Sequence, residues 1–113
     1  MKQIIAIVQP HRLEQIEHAL HGLAHLSGFT IFPAHGHSRG QGPQHAFAAT
    51  EWNPDAHDRL VLMMFCPDEQ MPTVVEAIRA AAHTGLPGDG LIAVSELADV
   101  LRIRSGERGD AAL

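Results

Sequence analysis

Gly88-Asp89-Gly90 and the pair Arg102 and Arg104 are the residues of this chain whose types and spacing best suit chemistry. Glycines let a backbone approach a ligand closely, and successive N–H groups can form a concave anion site. Two arginines two positions apart point the same way on an extended segment. Their guanidinium groups can then converge on one polyanion. The same residues also suit a tight turn beside a solvated arginine pair, and spacing alone leaves both readings open.

Histidine supplies the second set of candidates, with nine among 113 residues and no tyrosine. Imidazole is the commonest metal ligand and titrates near neutral pH. His35, His37 and His45, with His57 behind them, lie in or beside one stretch rich in glycine, proline and polar residues. Such nitrogens suit a divalent transition metal such as zinc, copper or nickel, and Asp55 and Asp58 can add oxygen ligands. Loop polarity without a metal is the plainer explanation. His18, His21 and His25 cluster on one side of a predicted helix, stepping about 100° per residue. His21 and His25, four apart, can chelate a metal from one helical turn. No carboxylate or cysteine completes that shell, so an exposed polar face is the simpler reading. His11 and His83 stand near helix ends and need no special role. No nucleophile–base pair or paired carboxylate stands out, so an enzyme is not expected.

Periodicity indicates the elements that must position these groups. Lys2 to Val8 is short, β-branched and apolar, as a buried strand is. Leu13, Ile16, Leu20 and Leu23 follow one helix face, predicting a helix to about Leu26 that stops at Ser27-Gly28. Phe29 to Phe32 resumes a strand. A segment from about Ala34 to Asp58 shows no period, and loops of that length in a small domain are usually functional. Arg59 to Cys66 reads as a second central strand. Pro67-Asp68-Glu69 opens a second helix, with Val74, Val75, Ile78, Ala81 and Ala82 on its apolar side. Leu91 to Val94 is the last core strand. The order βαββαβ predicts an α+β, ferredoxin-like sandwich: two helices on one face of a four-stranded antiparallel sheet. Strands as apolar as these cannot leave the other face in water, which implies a homo-oligomer built on it.

Composition limits the function. The chain is long enough for one domain, residues 1–113, and too short for two. Its formal charge of −5 argues against nucleic acid, whose phosphates need a basic face. No apolar run approaches the roughly 20 residues of a spanning helix, so membrane insertion is not expected. A single cysteine, Cys66, cannot form an internal disulfide and reads as a small core residue. Together with an N-terminus that lacks a signal-peptide cleavage region, this leads us to expect a cytoplasmic protein.

Four separated segments resemble the PII family of signalling proteins. They are Ile4-Ile5-Ala6-Ile7-Val8-Gln9-Pro10 with Leu13-Glu14; Glu76 to Arg79 followed by Thr84-Gly85-Leu86-Pro87-Gly88-Asp89-Gly90; the tail from Arg102 to Leu113; and, more weakly, Gly36-His37-Ser38-Arg39. The resemblance implies a trimer with its sheets lining the centre and an adenine nucleotide (ADP, AMP or ATP) bound in each cleft between neighbours. It implies that the segment at about 37–58 is the family's T-loop, which docks onto a target protein, either a membrane transporter or an enzyme. The C-terminal tail spans about 100–113. By resemblance, Gly88, Asp89, Gly90, Arg102 and Arg104 contact phosphates, Arg39 reaches the terminal phosphates, Thr30, Gly36, Phe65 and Thr84 help enclose the base and ribose, and Ile7 also belongs to the nucleotide site.

The chain also departs from the family pattern. Leu91 follows Gly-Asp-Gly where members usually carry lysine, so ADP or AMP is expected to compete well with ATP. Gly40 replaces the glutamine used for magnesium and 2-oxoglutarate, and Arg59 replaces the lysine that holds the 2-oxoglutarate carboxylate. Trp52 lies near the place of the tyrosine that some members modify. The leading expectation is a nucleotide-sensing regulator. The alternative is a metal-responsive PII-like protein using loop histidines, as in the similar trimeric architecture of the CutA type.

Overall fold

A computed structural model of the chain describes residues 1–37 and 56–113. Four strands and two helices account for most of it: β1 (Lys2–Val8), α1 (Leu13–His21), β2 (Phe29–His37), β3 (Ala56–Cys66), α2 (Met71–Ala82) and β4 (Gly90–Glu96). The strands form one antiparallel sheet in the order β2-β3-β1-β4. This is the ferredoxin-like α+β architecture that the βαββαβ order predicts. Among the described residues, no helix is long and apolar enough to cross a membrane.

Alternation along the strands divides the sheet into two faces. Ile4, Ala6 and Val8 of β1 and Leu62, Met64 and Cys66 of β3 point at the helices and are buried. Ile16 and Leu20 of α1 and Val74 and Ile78 of α2 close that core from above. Each large aliphatic chain so buried contributes about 1.5–3 kcal/mol relative to exposure. The opposite face carries nothing among the described residues. There the register lines up Phe32, Val61, Ile7 and Leu91 in one row across all four strands. Phe32 at 42% and Leu91 at 58% are exposed large apolar side chains, one on each edge strand.

Three boundaries differ from expectation. α1 ends at His21, not near Leu26, because the chain turns at Gly22 and His25 adopts a left-handed φ of 57°. Gln70 Nε2 donates to the carbonyls of Ala24 (3.2 Å) and His25 (3.0 Å), which anchors this non-helical turn. Leu23 and Leu26 still pack on the core, so the apolar spacing continued after the helix had stopped. The pairing of β2 with β3 runs on to His37 and Ala56, further than the apolar pattern indicated, because backbone hydrogen bonds continue a ladder that side chains no longer mark. The tail has a compact form: Leu101 bridges to Arg108, and Gly109–Ala112 makes a short 3-10 turn.

Candidate nucleotide cleft

The loop between α2 and β4 is built around Asp89. Its carboxylate accepts from the Thr84 hydroxyl, from the Thr84 N–H (2.9 Å) and from the Gly85 N–H (3.1 Å). His83 Nδ1 lies 3.6 Å away. These bonds, the Thr84 hydroxyl first, hold the Asp89 carboxyl below the ordinary carboxylate range. The Thr84 hydroxyl in turn accepts from Leu86 N–H at 3.1 Å. Asp89 therefore braces its own loop.

Gly90 is required by the fold. A Cβ there would lie 1.8 Å from the Ile7 carbonyl oxygen, and its φ is +102°. Gly88, with φ +94°, keeps its carbonyl in place by accepting from Gln9 Nε2 at 2.8 Å. Gln9 Oε1 contacts His11 Nε2 on its other side. A shallow cleft of about 350 Å³ opens beside this loop, with Ile7, Asp89, Gly90 and Leu91 on one wall and Val75 and Arg79 of α2 on the other.

The predicted residues separate into two groups. Ile7, Thr84, Gly88, Asp89 and Gly90 gather at the end of the sheet where β1 finishes and β4 begins. Gly36, near the end of β2, shares that end: its Cβ would lie 3.0 Å from Cγ of Arg59, the residue preceding Leu60, which pairs with Val8. Phe65 faces Gln3 at the opposite end, about 13 Å along β1 from Ile7 at roughly 3.3 Å per residue. Thr30, opposite Met63, lies between the two ends. β4 carries the chain away from Gly90 to Glu96, which pairs with Lys2 at the far end, and the tail starts there.

Within that tail, Arg102 is committed to its own chain. Its Nε donates to the Ala112 carbonyl at 2.8 Å, and its backbone pairs with Glu107 and Gly106. Arg104 makes no hydrogen bond or ion pair among the described residues, and its neighbour Ile103 is 98% exposed. Neither arginine is hydrogen-bonded to the Gly88 loop.

The histidine expectations fare differently. His35 and His37 do share a side of β2, with ring centroids 6.1 Å apart, and His35 Nδ1 lies 3.4 Å from Asp58. No group of three or more metal-binding side chains is assembled among the described residues. His25 lies beyond the end of α1, so His21 and His25 do not share one helical turn. Arg39, Gly40, His45, Trp52 and Asp55 lie outside the described residues, as does most of the predicted T-loop.

The fold and this glycine loop define a small ferredoxin-like α+β domain. A family model described as nitrogen regulatory protein P-II matches residues 1–107. The nitrogen regulatory protein P-II of Azospirillum brasilense is 35% identical over 113 residues, covering both chains completely. That of Rhizobium meliloti is 38% identical over 109 residues, 96% of each chain. The nitrogen regulatory protein GlnK of Escherichia coli K12 is 33% identical over the full length of both. The chain belongs to the P-II family, whose members are regulators of signal transduction and not enzymes.

Proposed function

We propose that the chain is a cytoplasmic nucleotide sensor that assembles as a homotrimer through its bare sheet faces. An adenine nucleotide (AMP, ADP or ATP) binds in each cleft between neighbours. Its identity sets the conformation of the segment at about 37–58, which controls a target protein, a transporter or an enzyme. The relatives' names attach nitrogen regulation to them, and the same setting is proposed here.

One observation carries this reading: the two groups of site residues lie toward different ends of one sheet, and the face they share carries an uncovered apolar row at the glycine-loop end. A single chain cannot wrap both groups around one small ligand. A neighbour docked on the bare face can supply Thr30, Phe65, Arg102 and Arg104 to the first chain's glycine loop. Coupling to the target then requires only that the nucleotides differ in affinity for two loop states.

Sedimentation combined with calorimetric titration tests this. The expected result is a trimer that binds ADP with one site per chain. A monomer, or a trimer indifferent to all three nucleotides, overturns the proposal.

A further inference from the structure

Arg59 bridges two of the glycines at this site. Its stem passes Gly36, where a Cβ would come within 3.0 Å of Arg59 Cγ. Its head reaches the loop, where a Cβ on Gly88 would lie 3.5 Å from Arg59 Nη2 and 3.3 Å from Gln9 Nε2. Only glycine at position 36 leaves the stem this path without displacement. The sheet register explains the reach. Arg59 lies one row beyond Val61, on the same face as Ile7 and Leu91, so its side chain extends past the end of β1 toward the loop.

Arg59 forms no ion pair among the described residues, and Nη1 donates only to the neighbouring Asp58 carbonyl at 2.9 Å. The nearest loop carboxylate, Asp89, is occupied by Thr84, Gly85 and His83. Position 91, which follows the glycine loop on the same face, holds an exposed leucine that offers no charge.

We propose that Arg59 is the specificity-determining cation of this cleft: it binds the phosphates presented at the Gly88-Asp89-Gly90 loop in place of a charge at position 91. The proposal rests on the nucleotide reading above. A guanidinium offers planar, two-pronged donation that matches phosphate oxygens. Fixed between two glycines, it is positioned before the ligand arrives.

Calorimetric titration of the trimer with ADP and ATP tests this with the wild-type chain, Arg59→Met, Arg59→Lys and Arg59→Met combined with Leu91→Lys. Loss of a charge-assisted contact should weaken ADP binding by about 10-fold or more in Arg59→Met. Arg59→Lys should retain part of the affinity, and Leu91→Lys should restore affinity in the Arg59→Met background. Circular dichroism and sedimentation should show the same folded trimer throughout. If the wild-type chain binds no nucleotide, the nucleotide reading fails, and this assignment with it. If the wild-type chain binds and Arg59→Met binds equally well, the cleft stands and Arg59 is not its cation. Weakened binding that Leu91→Lys does not restore makes Arg59 a structural support of the loop and overturns the assignment.

Discussion

The Thr84–Gly90 loop and the tail around Arg104 are both predicted to hold phosphates, yet they are built in opposite ways. In the loop, the Asp89 carboxylate, the Gly88 carbonyl and the Thr84 hydroxyl all have partners in the same chain. The tail spends Arg102 on its own C-terminal turn and leaves Ile103 and Arg104 exposed, Arg104 with no hydrogen bond or ion pair among the described residues. In the proposed site, the glycine loop is preorganised by the fold of one chain, and the arginine tail is the half that a second chain would complete. Preorganisation lowers the ordering cost of binding. On the proposed reading, the tail half makes that binding depend on assembly.

The sharpest way to break the organised half is Gly90→Val. The side chain would overlap the Ile7 carbonyl and force a β-branched residue to a φ of +102°. We expect destabilisation of about 4 kcal/mol or more, read from urea denaturation, with loss of the folded loop. A variant of unchanged stability would mean that the loop does not depend on the close approach of β4 to β1.

Arg102→Ala should have a smaller effect, about 1 kcal/mol, from the lost bond to the Ala112 carbonyl. Faster amide exchange at residues 109–113 would mark the detached turn. Arg104→Ala is the contrasting case. Its effect on unfolding should stay within about 0.5 kcal/mol, because the exposed side chain has no partner among the described residues. Its nucleotide affinity should fall if, as proposed, the side chain serves the neighbour's cleft. Equal stability losses for the two arginines would remove the distinction between them.

The smallest expected effect is one of pH. Hydrogen bonds to ionised Asp89 keep its carboxyl below the ordinary range. The unfolded chain therefore binds that proton first as pH falls. The stabilisation is fully present above the unfolded value of about 3.9 and is lost as pH falls through the lower folded value. Asp68, paired with the Met1 amino group, behaves in the same sense. Asp89→Asn should flatten part of this acid limb in urea midpoints measured from about pH 5 to pH 2. An unchanged limb would assign the dependence to Asp68 alone.

The elements and their order could be read from the chain because periodicity is local. Ile4 to Val8, Val74 to Ala82 and Leu60 to Cys66 each carry their secondary structure in the spacing of apolar residues, and β-branched residues add a strand bias. A turn at Gly88-Asp89-Gly90 was visible for the same reason, whereas the need for Gly90 comes from the Ile7 carbonyl on a neighbouring strand. The end of α1 was misplaced because Leu23 and Leu26 keep helical spacing while Gln70, 45 residues away, fixes the turn that stops the helix. Only the tertiary structure decided that β1 lies between β3 and β4, that Asp89 points inward to Thr84, that Arg102 faces Ala112 and that Arg59 reaches Gly88. The reach of Arg59 depends on sheet register, in which one residue of slip turns a side chain to the other face. Register is settled by the packing of the whole core, and no short window of residues contains it.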